Sequence, residues 1–324
     1  MMHPDEALFQ NEKPYQVLPS CVHYAGSQKL MEKALLLQKE KNYKFHVTLD
    51  CEDGAKRGEE EAHIRMACSL IESPLNGGNA TGIRIHEPSG SIWQKELEII
   101  FDHKIKLPAF LVIPKSSSLE ELKVVLETLK NVYQSQIPVH VLIETHGALK
   151  DVNKIAEHPL VETLDFGIMD FISAHHGAIA ASNMKSPGQF DHVLLRRAKS
   201  EICSAALACG KVPVHNVSLS LKDPATVKND ALRARYEFGF LRMWSIHPSQ
   251  IDPIIEAMSP THEELHKAIE ILIRAQDLSW APIDYQGELC DRASYRIYWS
   301  LLKSAKMNGI PFSNEVLERF WSVH

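Results

Sequence analysis

Six cysteines in 324 residues, none in a Cys-x-x-Cys pair, leave no pattern for a zinc knuckle or a compact disulfide framework. Lysine and arginine number 35 against 41 acidic residues, a formal charge of -6, and they form no basic stripe. A nucleic-acid partner is therefore not expected. No run approaches the roughly 18 apolar residues of a membrane span, and residues 1–15 lack the apolar segment of a secretion signal. The expectation is a soluble cytoplasmic protein with reduced thiols, no membrane partner and no disulfides. A Gly-x-Gly-x-x-Gly turn is also missing after the first apolar run, which argues against a dinucleotide-binding open sheet.

What is present is alternation. Short runs rich in Val, Ile, Leu and Phe predict strands over 20–24, 45–49, 82–86, 109–114, 139–144, 164–169, 212–217 and 241–246. Between them, helical periodicity predicts helices over 27–40, 59–71, 92–101, 118–133, 148–156, 194–209, 224–238 and 248–257. Strands this apolar are expected to be parallel and covered on both faces. Eight such units in about 250 residues fit a (β/α)8 TIM barrel, with a doubly wound sheet as the competing arrangement. Beyond Ala257 the texture becomes that of a helical tail: a polar helix over 260–275, a loop over 280–291 and a helix over 293–307. The division expected is a barrel domain over 1–258 and a C-terminal helical extension over 259–324, contacting a neighbouring subunit.

Charge gathers where the strands end. Asp50, Glu52 and Asp53 follow the second, Arg84 lies in the third, Lys115 follows the fourth, Glu144 the fifth and Asp170 the sixth; His215 lies in the seventh and His247 follows the eighth. In a parallel barrel these positions share one mouth, where active sites are built. Glu144 and Asp170, from neighbouring strands, are the best pair for a hard ion. Two carboxylates without cysteine, completed by water and substrate oxygens, suit Mg2+, the alternative being a pair of loop caps. Arg84 inside a strand needs an anion, either the Asp50, Glu52 and Asp53 group or a substrate carboxylate. Lys115 reads as a fixed positive charge, with a Schiff-base role as the alternative. Asp291 reads either as a helix N-cap or as a catalytic acid/base.

These residues resemble a known family. The segment Asp50 to Ala55 resembles the "DLEDA" element, Arg84 to His86 the "RxN" strand, Pro114-Lys115 the "PK" turn, Glu144-Thr145 the "IET" strand end, and 166–170 the "GxxD" element of the citrate lyase β-subunit/malyl-CoA lyase family in the HpcH/HpaI aldolase superfamily. The stretch 238–251, with Ile246-His247-Pro248-Ser249-Gln250-Ile251, looks like its "GF…IHPxQI" signature. The resemblance implies a TIM barrel, Mg2+ on Glu144 and Asp170, Arg84 beside the substrate carboxylate and enolate, and assembly as homotrimers or homohexamers. It also implies an acyl-CoA partner for a 2-oxo or 2-hydroxy acid, with Asp291, ending a Gly-x-x-x-Asp turn from Gly287, acting in a neighbouring subunit's site. The chain departs from the pattern at Pro19, Ala25, His86 and His215, where the family has Arg, Pro, Asn and Asp.

The activity expected is Mg2+-dependent Claisen- or aldol-type cleavage of a β-hydroxyacyl thioester such as malyl-, methylmalyl- or citryl-CoA. Arg84, Asp291, Asp50, Glu52 and Lys115 would serve catalysis, and Arg84, Asp53, His215 and His247 would hold substrate. The altered N-terminal motif favours, as an alternative, a CoA-independent 2-oxo acid aldolase or a thioester hydrolase on the same barrel. A non-catalytic dicarboxylate-binding or assembly protein is the third reading.

Overall fold

The computed structural model describes residues 2–10, 12, 16–42, 44–78, 80–102 and 106–321. Eight strands close a parallel barrel in chain order: β1 (Cys21–Ala25), β2 (His46–Asp50), β3 (Thr81–Arg84), β4 (Leu111–Ile113), β5 (Val139–Ile143), β6 (Val161–Phe166), β7 (Val212–His215) and β8 (Arg242–Ser245), with β8 paired to β1. Helices follow the strands and bury their apolar stripes on the barrel's outer face. That layer holds alternate strand residues such as Val47, Leu49, Ile83, Leu111, Val141 and Leu164. The (β/α)8 architecture expected from the alternation is the one found.

Strand parity decides what enters the barrel. The inward set alternates with the outer one and is polar for much of its depth: His46, Thr48 and Asp50 on β2, His140 on β5, Asp165 on β6 and Arg242 on β8, all buried or nearly so. Gly82 on β3 has no side chain because Phe110 occupies the space; a Cβ there would lie 2.3 Å from its ring. Phe110 in turn stacks on His46 and His140, at 5.2 and 4.1 Å between centroids.

β6 lies three residues earlier than the apolar run suggests. Ile168 and Met169 are not strand but open a short helix, Ile168–Ser173, which puts Asp170 in that helix's first turn. Among the described residues no helix is long and apolar enough to cross a membrane.

The chain divides into two units: Cys21–Met258, which contains the barrel, and Met1–Ser20 together with Ser259–His324. Residues 1–20, expected in the barrel domain, thus group with the C-terminal segment. The cause is apolar burial: Leu8 and Phe9 share a core with Leu272, Tyr295, Trp299 and Phe320, while Arg292 and Arg296 both donate to the Leu8 carbonyl, at 2.7 and 2.9 Å. The helix His262–Asp277 opens on a capping box of Thr261 and Glu264. The expected loop over 280–291 is instead a hairpin, Ile283–Tyr285 against Glu288–Cys290. Its turn residues Gln286 and Gly287 both have positive φ, as a two-residue type I′ turn requires. Helices Arg292–Met307 and Asn314–Trp321 follow.

Candidate active site

The mouth of the barrel encloses a cavity of about 250 Å³ lined by Tyr24, Asp50, Asp53, Arg84, Glu144, Gly167, Ile168, Met169, Asp170, Val217, Trp244 and Ile246. Its charged side is organised around Arg84. The guanidinium grips Asp50 in bidentate fashion, Nε to Oδ1 and Nη2 to Oδ2 at 2.7 Å each, and Nη2 also donates to Asp53 Oδ2 at 2.8 Å. Nη1 lies 2.8 Å from Glu52 Oε2, off the angle of a hydrogen bond, since that oxygen has no donor. The protein anions expected of the arginine are thus present as Asp50, Glu52 and Asp53, and its side chain also lines the cavity.

Lys115 joins this cluster to Glu144. It has a φ of +47°, the left-handed region that a side chain enters only at a cost. In that conformation its backbone N–H donates to Glu144 Oε1 at 2.8 Å, while its ammonium bonds to Glu52 Oε1 and lies 3.5 Å from Asp53 Oδ1. The ammonium is thus engaged by two carboxylates, the surroundings of a fixed positive charge. Burial pushes Asp53 up, but the charges of Arg84 and Lys115 outweigh it and hold the carboxyl below its usual range.

Glu144 is almost fully buried at the end of β5. Burial, with the negative charge of Asp170 added, raises its carboxyl to about 8 against the pull of Arg84 and the Lys115 amide. A carboxylate in this position needs a cation to be ionised at neutral pH. Gly167 keeps the space beside it open, since a Cβ there would lie 2.2 Å from Glu144 Oε2. Among the described residues no group of three or more His, Cys, Asp or Glu side chains could hold a metal by itself. Glu144 and Asp170 line one open cavity, and a pair of carboxylates in such a place fits an ion that keeps water and substrate oxygens in its shell.

Two sequence expectations, His215 and His247, place differently. His215 does not line the cavity. Its parity on β7 turns it outward, where it stacks on Phe190, 5.3 Å between centroids and 4° between planes, and bonds to the fully buried Lys199. Lys199 also donates to Asn216 Oδ1 at 3.0 Å, so this pair belongs to the layer between barrel and helices. His247 is exposed and caps the turn Pro248–Gln250, its ring bonded to Ser249. Within that signature Gln250 does the joining: it accepts from the Ile246 and His247 amides and donates to the Ser218 and Ser220 carbonyls, tying the end of β8 to the loop after β7. Asp291 is the N-cap of Arg292–Met307, Oδ1 accepting from the Ala293 and Ser294 amides. His86, where the family has Asn, is held by Glu96 through both its amide and Nδ1.

Sequence reasoning missed the opposite wall. Tyr24 and Trp244 stack at 4.8 Å, Arg84 Cζ lies 5.5 Å from the Tyr24 ring, and Val217, Ile246, Ile168 and Met169 complete an apolar surface. Parity was the available signal, since Tyr24 and Trp244 stand two residues beyond the inward Val22 and Arg242.

No family model matches the chain. It is similar along its whole length to a citrate lyase from Burkholderia xenovorans LB400 of known structure, with 45% identity over 99% of this chain and 100% of that one and a TM-score of 0.85. It is 26% identical over 290 residues, 84% of this chain and 79% of the other, to the mitochondrial citramalyl-CoA lyase of Homo sapiens. The protein CitE of Mycobacterium tuberculosis, solved with magnesium, acetoacetate and coenzyme A, shares the fold at a TM-score of 0.69 and 20% identity, covering 90% of this chain and 99% of that one. With the ordered motifs, the whole-length likeness and the carboxylate–arginine mouth agreeing, the chain belongs to the citrate lyase β-subunit-like/malyl-CoA lyase family of the HpcH/HpaI aldolase superfamily, whose enzymes are carbon–carbon lyases.

Proposed function

We propose that this protein is a Mg2+-dependent lyase that cleaves or forms the carbon–carbon bond between a 2-oxo acid and the α-carbon of an acyl-CoA thioester, the chemistry of malyl-, methylmalyl- or citryl-CoA. The observation that carries this reading is the buried Glu144, lining one open cavity together with Asp170 and Arg84. Glu144 and Asp170 would hold Mg2+, which when bound supplies Lewis acidity toward the carboxylate and adjacent oxygen of the acid.

The residues divide the remaining work. In the cleavage direction a base takes the hydroxyl proton, the carbon–carbon bond breaks, and its electron pair moves into the thioester carbonyl as an enolate, which is then protonated at carbon. Arg84 offers Nη1, its least committed nitrogen, to that developing negative charge. Asp50, Glu52 and Asp53 fix the guanidinium plane, and Lys115 fixes Glu52. Asp291 is the acid/base we assign, delivered by a neighbouring subunit of a homotrimer or homohexamer. Asp291→Asn separates this role from capping, because Asn caps a helix as well as Asp: kcat should fall at least a hundredfold with thermal stability unchanged.

Calorimetry of Mg2+ with pyruvate or oxaloacetate, with and without acetyl-CoA, on wild type and Glu144→Ala tests the whole reading. Metal-dependent binding of the acid, sharpened by acetyl-CoA and lost in the variant, is expected. Binding indifferent to the thioester would instead identify a CoA-independent aldolase, and no binding a non-catalytic protein.

A further inference from the structure

The two walls of the cavity differ in what they demand of a ligand. On one side stand four carboxylates, Asp50, Asp53, Glu144 and Asp170, against one guanidinium, a formal charge of -3 that a divalent ion reduces to -1. Arg84 is the only cation among the described residues that line the cavity, and three carboxylates already surround it. Lys115, the nearest other cation, is engaged by Glu52 and Asp53. The opposite wall is the stacked Tyr24–Trp244 pair with Val217 and Ile246.

From this asymmetry we infer that the 2-oxo acid handled here is a monocarboxylate with a short uncharged, apolar substituent, and that Tyr24, Trp244, Val217 and Ile246 select it. This rests on the metal-dependent lyase reading above and, within it, favours a thioester whose acid half carries an alkyl group over the malyl-, methylmalyl- and citryl-CoA named there. The acid's carboxylate and oxo oxygen face the Glu144–Asp170 side, so whatever hangs from its far carbon meets the apolar wall. A second carboxylate there would lose its hydration, find no free cation and meet a net negative field. A methyl or ethyl group gains instead, each added CH2 contributing about a fourfold tighter complex. A cavity of about 250 Å³ lies below the range of drug-sized ligand sites, which keeps the substituent short.

The test is calorimetric titration of wild-type protein, in the presence of Mn2+, with glyoxylate, pyruvate, 2-oxobutyrate and 2-oxoglutarate, and the same series with Ile246→Arg. Expected is an order of 2-oxobutyrate and pyruvate above glyoxylate, with 2-oxoglutarate at least tenfold weaker than 2-oxobutyrate. Ile246→Arg places a cation on the apolar wall and should move the ratio at least tenfold toward 2-oxoglutarate. Metal-dependent binding of 2-oxoglutarate by wild type as tight as that of 2-oxobutyrate would overturn the selectivity and leave the lyase reading standing. Absence of metal-dependent binding for all four acids would overturn the lyase reading and this inference with it. The wild-type series decides the matter even if the variant does not fold.

Discussion

Two arginines point into the same barrel and meet opposite conditions. Arg84, at the mouth end of β3, is surrounded by Asp50, Glu52 and Asp53, whose charges outweigh the effect of burial and hold it firmly protonated. Arg242, at the start of β8, is fully buried, and none of its three side-chain nitrogens has a hydrogen-bond partner among the described residues. Burial lowers its pKa against the charges of Asp165 and Glu162. Asp165 Oδ2, Tyr24 hydroxyl and Thr48 Oγ1 are likewise buried without partners. The lesson is that burial alone does not mark a functional charge. An excess of opposite charge arranged around a cation at an open mouth marks a site, whereas isolated polar atoms deep in a barrel mark space that structural water commonly fills.

Removing each arginine breaks the comparison most sharply. Arg84→Leu leaves the buried Asp50 without a cation and should cost about 3–5 kcal/mol in urea unfolding, with loss of activity. Arg242→Met, although the more buried change, should cost no more than about 1 kcal/mol or stabilise, because it removes an unpartnered charge. A larger loss for Arg242 than for Arg84 would reverse the interpretation. Next in size, Gly167→Ala pushes a methyl group onto Glu144 Oε2 and should weaken Mn2+ binding at least tenfold, read by titration against the electron paramagnetic resonance signal of the free ion.

The comparison extends to buried bases that stay neutral. His23 on β1 is buried against Phe45 with Nδ1 on Ser245 Oγ, and burial lowers its pKa to about 4. A group depressed below its ordinary 6.5 favours the fold above 6.5 and loses that contribution as pH falls toward 4. Urea midpoints should therefore decline across that window, and His23→Asn should flatten the decline. The smallest effect is expected at His247, whose ring is exposed: His247→Ala should change stability by no more than about 1 kcal/mol and oxo acid affinity by less than twofold.

Much of this was legible in the chain. Apolar runs with charges at their ends were enough to order the eight strands and to gather Asp50, Arg84, Lys115, Glu144 and Asp170, since charge at the end of a buried strand has few other reasons to be there. What was not legible follows from period two. A strand misread by one residue turns every side chain to the other face, and His215 is such a case, outward although adjacent in sequence to inward Val214. Ile168, Met169 and Val217 looked like strand because apolar residues lining a cavity and apolar residues filling a core have the same composition. Asp291 is ambiguous for a related reason: helix caps and acid/base groups use the same side chain.

The consequence of Lys115 is mechanical. One residue in a left-handed turn holds Glu144 with its amide and Glu52 with its ammonium, and Glu52 lies against Arg84. The ion-holding half and the anion-stabilising half of the mouth therefore hang from a single backbone torsion. In the mechanism proposed above, a shift of the loop after β4 would therefore move both halves together, and the spacing between the ion and the guanidinium would be set by that loop.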